Sequence, residues 1–136
     1  MGDEDSRGLA ALALPTHFEC VDPILRVEDM ARSVRYYVDV LGFENAPWGN
    51  GNFTRVERDG RGIYLCRGGQ GRGGAWVWIG VGDVRALYRV YRERGAVVLQ
   101  EPKNEAWALE MRIEDPDGNV LRIGSDREDL GEYDAR

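Results

Sequence analysis

Asp115-Pro116-Asp117-Gly118-Asn119-Val120-Leu121-Arg122-Ile123-Gly124 is the stretch of this sequence that decides its fold. Pro116 presets φ for a turn, and Gly118 and Asn119 tolerate positive φ, so the first half of the stretch predicts a tight hairpin. The alternating residues that follow predict a strand with Leu121 and Ile123 on one face. We therefore expect the fold to close with a β-hairpin.

The composition limits the kind of protein this is. A chain of 136 residues suffices for one compact domain, or for two small modules that share a core. With 24 acidic and 18 basic residues, the formal net charge of −6 disfavours nucleic acid and anionic membranes as partners and favours cationic small molecules. No apolar run approaches the roughly 18 residues that a membrane span needs. Cys20 and Cys66 are not in metal-binding spacing, which fits a reducing cytoplasm.

The first half of the chain has the pattern of a β-α-β-β-β unit. Residues 17–27 alternate and are rich in β-forming side chains, which predicts a strand, although Pro23 indicates an edge or a locally unpaired position. Apolar residues then recur at helical spacing between a good N-cap, Asp29, and a plausible stop, Gly42. Three further strand candidates follow, at 43–48, 53–57 and 62–67.

The second half repeats this unit. A strand at 75–81 precedes a helix that Asp83 caps and Gly95 ends, at nearly the same spacing as in the first half. Because each unit has an open sheet face that must be covered, we expect an α+β fold of two tandem βαβββ modules. The remaining strands are expected at 97–99, 108–114 and 120–124. The chain divides into a flexible N-terminal arm (1–16), the first module (17–67), a Gly-rich linker (68–74), the second module (75–124) and an acidic tail (125–136).

These elements resemble a known superfamily. The run Pro23 to Asp29, with Val40 to Phe43, is similar to the first strand and helix of a vicinal-oxygen-chelate module, the unit of glyoxalases, bleomycin-resistance proteins and extradiol dioxygenases. The run Trp76 to Val84 and the turn at 115–119 resemble the second module. The resemblance covers roughly residues 18–124. It implies a curved mixed-sheet half-barrel with a ligand cavity, commonly in a homodimer.

The metal-binding positions of that superfamily carry other residues in this chain. Its enzymes hold a divalent metal with His and Glu side chains from four strand positions, and the resemblance places these on Asp22, Tyr64, Trp76 and Arg122. One oxygen ligand remains, and the fourth position carries a cation that would repel a metal. The only histidine, His17, is interpreted as a surface or capping residue. We therefore expect no metal, no other cofactor and no catalytic residue.

Strand periodicity and the resemblance together predict an aromatic and charged cavity. Trp76 and Trp78 share one strand face and could stack on a ligand, or could simply fill the space between the modules. Arg122 could clamp a ligand carboxylate or neutralise a cavity acid. The candidate ligand-binding residues are Asp22, Tyr64, Trp76, Trp78, Glu110 and Arg122, together with Trp48 and Trp107, which could rim the pocket or anchor the core.

The favoured function is that of a metal-free binding protein of the bleomycin-resistance type. In this interpretation Trp76, Trp78 and Tyr64 stack on a planar, cationic small molecule such as an antibiotic, and Asp22 and Glu110 counter its charge. One alternative is a metal-independent lyase- or isomerase-like enzyme of the same superfamily, with Asp22, Glu110 or Tyr64 as general acid or base. Another is a dimeric scaffold or regulator.

Overall fold

The computed structural model describes residues 11–128, which form two four-stranded mixed sheets and two helical segments. In each sheet the outermost strand pairs in parallel with the last strand, and the other pairs are antiparallel. In chain order the elements are β1 (Ile24–Arg26), α1 (Met30–Arg35) with a π-helical turn (Tyr36–Val40), β2 (Glu44–Asn45), β3 (Phe53–Arg58), β4 (Arg61–Cys66), β5 (Trp76–Gly80), α2 (Val84–Glu93), β6 (Val97–Asn104), β7 (Leu109–Glu114) and β8 (Val120–Ser125).

The strand orders are β1-β4-β3-β2 in the first sheet and β5-β8-β7-β6 in the second. The predicted α+β fold of two βαβββ units is thereby confirmed, and the sheets stay open as a half-barrel requires. The parts of the predicted arm and tail at 1–10 and 129–136 lie outside the described residues. Within the described part of the chain, no helix is long and apolar enough to cross a membrane.

Both helices begin and end where the sequence predicts. The side chains of Asp29 and Asp83 each accept a hydrogen bond from a backbone N–H three residues later, at 3.1 Å. Gly42 and Gly95 have φ values of 86° and 84°, which a glycine adopts without a Cβ penalty. These capping interactions fix the orientation of each helix relative to the strand before it.

β1 is shorter than the predicted strand. It begins at Ile24 and not at residue 17. Pro23 has no N–H to donate, so only its carbonyl joins the ladder, where it accepts a hydrogen bond from the Tyr64 N–H at 2.9 Å. The sequence correctly indicates an irregularity at this proline, but the strand begins only after it.

β6 is longer than the predicted strand at 97–99. It extends to Asn104 and passes through Pro102, with two register shifts against β7. Because β6 is the edge strand of its sheet, a proline there does not interrupt a ladder on both sides. The proline and the shifts hide the strand from a search for regular alternation.

One hydrophobic core joins the two units. It contains inward side chains from both sheets and both helices, among them Leu25, Val27, Tyr37, Leu65, Tyr91, Met111, Ile113 and Leu121. Burial alternates along β1 and β5, as strand periodicity predicts. Since both sheets turn their buried sides towards the same core, their other sides point away from it and remain open to solvent.

The Asp-Pro-Asp-Gly-Asn turn between β7 and β8 connects the second unit to the first. The Asp117 carboxylate accepts hydrogen bonds from the Glu28 N–H at 2.9 Å and from the Ser33 hydroxyl at 2.8 Å. The buried Tyr37 hydroxyl donates to Asp115 at 2.8 Å. The turn that the sequence singles out therefore fixes the position of α1 as well as closing its own hairpin.

The beginning of the predicted acidic tail is held against α2. β8 includes Ser125, whose hydroxyl oxygen accepts a hydrogen bond from the Val84 N–H at 3.3 Å. The Glu128 carboxylate accepts two hydrogen bonds from Arg85, at 2.6 and 2.8 Å. These contacts extend the packed part of the chain to residue 128.

Candidate ligand-binding faces

The structure divides the eight predicted site residues between the open sides of the two sheets. We call these sides the first face and the second face. Among residues 11–128, no hydrogen bond, ion pair or ring contact joins the two groups. The first face carries Asp22, Trp48 and Tyr64, and the second carries Trp76, Trp78, Trp107, Glu110 and Arg122.

The first face is built around three aromatic rings. Phe53 on β3 and Tyr64 on β4 stack, with ring centroids 5.2 Å apart and an interplanar angle of 21°. Trp48 lies 6.3 Å from Phe53 at 28° and leaves 55% of its surface exposed. Such offset stacks stabilise by about 1 kcal/mol per pair beyond burial. Trp48 and Tyr64 therefore belong to one cluster, whose outer ring is accessible.

The charges on this face centre on Arg55. Its guanidinium bonds Asp22 at 3.1 Å and Glu57 at 2.9 Å, and lies 5.7 Å from the Tyr64 ring centroid. Position 62 is glycine, and a Cβ there would collide with that guanidinium. Asp22, which the sequence analysis expects to counter the charge of a ligand, is already paired with a residue of its own sheet.

The second face is organised by Glu110, whose side chain is fully buried. One carboxylate oxygen accepts hydrogen bonds from Trp107 Nε1 at 2.7 Å and Arg122 Nη2 at 2.9 Å. The other accepts from Arg122 Nε at 2.7 Å and Arg112 Nε at 3.1 Å. Arg122 could clamp a ligand carboxylate or neutralise an acid of the site. In the structure it is paired with an acid, Glu110.

Glu110 is held in its charged form. Burial by itself raises the pKa of this carboxyl, but the hydrogen bonds from Arg122, Trp107 and Arg112 outweigh that effect and lower the pKa to about 2. The same pairing raises the pKa of Arg122. A carboxylate with so low a pKa is a weak base, and its four donors leave it no room to meet a ligand directly.

Guanidinium groups also cover the indole rings of the second face. Arg112 lies 5.3 Å from the ring centroid of Trp76. Arg122 lies 5.4 Å from that of Trp78 and 6.0 Å from that of Trp107. We call these five residues and Glu110 the arginine–indole cluster. The three indoles remain 49–59% exposed, so each presents ring surface to solvent.

A glycine allows one of these rings to lie close to the sheet. A Cβ at Gly124 on β8 would come within 2.6 Å of the Trp78 ring. The indole of Trp78 therefore extends over the neighbouring strand in space that any other residue would occupy. The ring can lie in this position because residue 124 has no side chain. This is the physical reason for a glycine at the end of the stretch 115–124.

A large hollow in the described part of the chain lies apart from most of these residues. A cleft of about 1000 Å³ runs between the end of the first helix, the β3–β4 turn, β5 and α2, and includes Leu41, Leu87 and Tyr91 in its walls. Of the predicted site residues, only Asp22 and Trp78 border it. Of the expected aromatic side chains, Trp78 borders both its own open face and this cleft, and the others lie on the two open faces alone.

Sequence reasoning did not assign four residues of these faces to the site. Arg112 falls on the second face by strand periodicity, but its contact with Trp76 depends on neighbouring strands. Phe53, Arg55 and Glu57 alternate along β3 and share one side. Their spacing of two residues is the signal that could have identified them.

The four positions that hold a metal in the superfamily do not fit one here. The cation of Arg122 is bound to Glu110, and Trp76 has no lone pair that binds a divalent ion. Asp22 is paired with Arg55. Within residues 11–128, no group of three or more His, Cys, Asp or Glu side chains is arranged to hold a metal ion.

Comparisons with known proteins agree with this fold. Residues 16–123 match the model of the Glyoxalase/Bleomycin resistance protein/Dioxygenase superfamily. A search of curated proteins found no match. Among solved structures, the chain is similar to the bleomycin-binding protein of Streptomyces verticillus, solved with copper(II)-bleomycin, at 23% identity and a TM-score of 0.70, covering 82% of this chain and 99% of that one.

Two further structures have the same fold. TnmS3, an antibiotic binding protein from Streptomyces sp. CB03234, is 25% identical with a TM-score of 0.67, covering 82% of this chain and 98% of that one. TioX from Micromonospora sp. ML1 is 18% identical with a TM-score of 0.67, covering 82% and 99%.

Proposed function

The chain belongs to the glyoxalase/bleomycin resistance protein/dioxygenase superfamily, and from that membership we propose that it is a metal-free binding protein of the bleomycin-resistance type. It sequesters a planar small molecule by stacking it on exposed aromatic rings. The observation that carries this proposal is the arginine–indole cluster, where Glu110 holds two guanidiniums in place and these in turn fix three half-exposed indoles. Rings that are immobilised before binding lose little conformational entropy on binding.

Binding is favoured over catalysis by the state of the acidic groups. The metal-independent enzyme needs a free general acid or base among Asp22, Glu110 and Tyr64. Asp22 is ion-paired with Arg55, and Glu110 is buried with a pKa of about 2. The similar structures named above include a bleomycin-binding protein and an antibiotic binding protein, which supports a ligand of that kind.

A homodimer completes the site in this proposal. No hydrogen bond, ion pair or ring contact joins the two faces within residues 11–128, and in this proposal a single chain does not enclose the ligand between them. Trp48, Trp76, Trp78 and Trp107 leave about half of their surface or more exposed, an arrangement typical of an interaction surface. We propose that the first face of one chain lies opposite the second face of its partner, with the ligand between them.

Thermal unfolding of EDTA-treated protein tests the proposal with bleomycin, its copper(II) complex and a panel of planar antibiotics. At a hundredfold excess over Kd, a ligand that binds only the folded state stabilises it by about 2.7 kcal/mol. We expect at least one compound to raise the Tm, and the double variant Trp76→Ala, Trp78→Ala to lose that rise.

Val90→Ala is the matched control, because Val90 is 44% exposed, lies on α2 and borders the cleft, and belongs to neither face. It should respond to the ligand as the wild type does. The proposal would be contradicted if no compound raised the Tm. It would also be contradicted if only Val90→Ala lost the rise, because the ligand would then bind in the cleft.

A further inference from the structure

We propose that the arginine–indole cluster selects the acidic group of its ligand, so that the second face takes a planar aromatic compound carrying a carboxylate, sulfonate or similar anion. This inference rests on the proposed binding function and assigns the ligand a charge opposite to that expected from the composition. It follows from which hydrogen-bonding atoms of Glu110, Arg112 and Arg122 are already paired within the cluster and which are left for a ligand.

The acid of the cluster is not accessible to a ligand. Glu110 has no exposed surface, and each of its two oxygens already accepts two hydrogen bonds. A ligand cation approaching this face would therefore meet the guanidiniums before it met the carboxylate. The buried acid positions the two arginines and does not itself bind ligand.

The accessible charge of the cluster is positive. Arg112 uses only Nε for Glu110, and Arg122 uses Nε and Nη2, so among the described residues three terminal nitrogens of these side chains have no hydrogen-bond partner. The two side chains are 30% and 31% exposed. Two guanidiniums and one carboxylate leave a formal charge of +1 beside the rings.

Other charged groups on the second face do not reverse this sign. Lys103 is paired with Glu105 at 3.4 Å, so that pair is formally neutral. Glu114 lies in the same row as Trp76, with β8 between them. Its carboxylate lies beside Gly118 of the β7–β8 turn, 3.9 Å from where a Cβ of that glycine would be. The charged groups that lie over the rings are the two guanidiniums.

The indoles are also already occupied as cation–π partners. Arg112 and Arg122 lie over Trp76 and Trp78 at 5.3 and 5.4 Å. A cationic ligand would have to displace these guanidiniums or be repelled by them. A planar acid can instead stack on the exposed part of a ring and accept charge-assisted hydrogen bonds from the adjacent guanidinium edge.

The first face has the opposite arrangement. There one guanidinium, Arg55, lies between two carboxylates, Asp22 and Glu57. The charge of Arg55 is therefore already countered by two acids. A pair of guanidiniums that share one buried acid and lie over indoles is thus a property of the second face.

Equilibrium dialysis with two probes of equal ring size tests the inference: naphthalene-2-sulfonate, an anion, and 2-naphthylmethylammonium, a cation. We expect the wild type to bind the sulfonate about tenfold more tightly than the ammonium, because a charge-assisted hydrogen bond contributes about that factor. Arg112→Gln should weaken sulfonate binding about tenfold and leave ammonium binding unchanged or stronger. Raising the salt concentration should weaken sulfonate binding in the wild type.

Arg92→Gln is the matched control. Arg92 lies 5.7 Å from the Tyr88 ring on α2, a pair of the same type that belongs to neither face, and its loss should change neither affinity. Equal affinities, or tighter binding of the ammonium, would overturn the charge assignment and leave a stacking function intact. If neither probe bound, the charge assignment would also be overturned. The thermal unfolding experiment with the antibiotic panel then decides separately whether the chain binds planar ligands.

Discussion

Glu110→Gln should lower the free energy of unfolding by about 3 kcal/mol at pH 7. The pKa of this carboxyl falls from its ordinary 4.5 to about 2 in the folded chain, and each pKa unit corresponds to about 1.4 kcal/mol. Glutamine keeps the size of the side chain but leaves Arg112 and Arg122 without their counter-charge in a partly buried site. Urea unfolding of the two proteins measures the difference.

The pH dependence of this difference has a fixed sign. Because folding lowers the pKa of Glu110, the stabilisation is complete above about pH 4.5 and is lost as the pH falls towards 2. The gap between wild type and Glu110→Gln should therefore shrink across that window. Glu128→Gln, which breaks the exposed pair with Arg85, is the control and should have little effect. A gap that is absent at pH 7, or that does not change with pH, would show that Glu110 does not hold the cluster together.

Asp115→Asn should cost about 3 kcal/mol of stability. One oxygen of Asp115 accepts from the Tyr37 hydroxyl at 2.8 Å and from Asn119 Nδ2 at 2.9 Å. The other accepts from the backbone N–H groups of Asp117 and Asn119, at 2.8 and 2.9 Å. An amide puts an NH₂ group opposite two donors, and each lost hydrogen bond to a charged group costs about 1.5–3 kcal/mol.

Urea unfolding of Asp115→Asn should show a lower midpoint with an unchanged slope. Asp59→Asn is the control, since Asp59 is exposed in the β3–β4 turn at φ 52°, a conformation that asparagine also adopts. It should unfold like the wild type. If Asp115→Asn also unfolded at the wild-type midpoint, the turn would not be the link between the two units that its contacts indicate.

The parts of the fold that follow from local rules are predictable from the sequence. Asp29 and Asp83 cap their helices because a short acidic side chain can accept a hydrogen bond from the first turn. Asp59 and Gly60 form the β3–β4 turn with positive φ at both residues, which an Asp-Gly pair between two strands favours. Each of these interactions involves residues a few positions apart, so the sequence contains all the information.

Other features depend on residues that are distant in the chain. The Leu41 N–H bonds the Tyr36 carbonyl five residues earlier, which turns the end of the first helix into a π-helical turn. Tyr36 and Tyr37 then donate hydrogen bonds to the β7–β8 hairpin, at 2.7 and 2.8 Å. The apolar spacing predicts a helix here, but its winding adapts to a hairpin that lies nearly eighty residues away.

The candidate site, too, is only partly predictable from the sequence. Periodicity correctly places Trp76 and Trp78 on one side of β5, and the same spacing of two residues puts Glu110 and Arg112 on one side of β7. Which of these charges are paired depends on the register between strands, and this leaves Glu110 buried and the arginines outermost. The sequence therefore predicts an aromatic, charged surface, whereas the sign of its accessible charge requires the structure.

The central claim is that the chain binds a planar ligand by stacking and leaves it chemically unchanged. The most direct test titrates EDTA-treated wild-type protein with the compound that raises the Tm most, followed by tryptophan fluorescence, and then measures the mass of the recovered ligand. The account predicts a fluorescence change that saturates at a fixed ratio of ligand to chain, with ligand recovered at its original mass. A fluorescence change that never saturates, or a ligand recovered with a different mass, would contradict it.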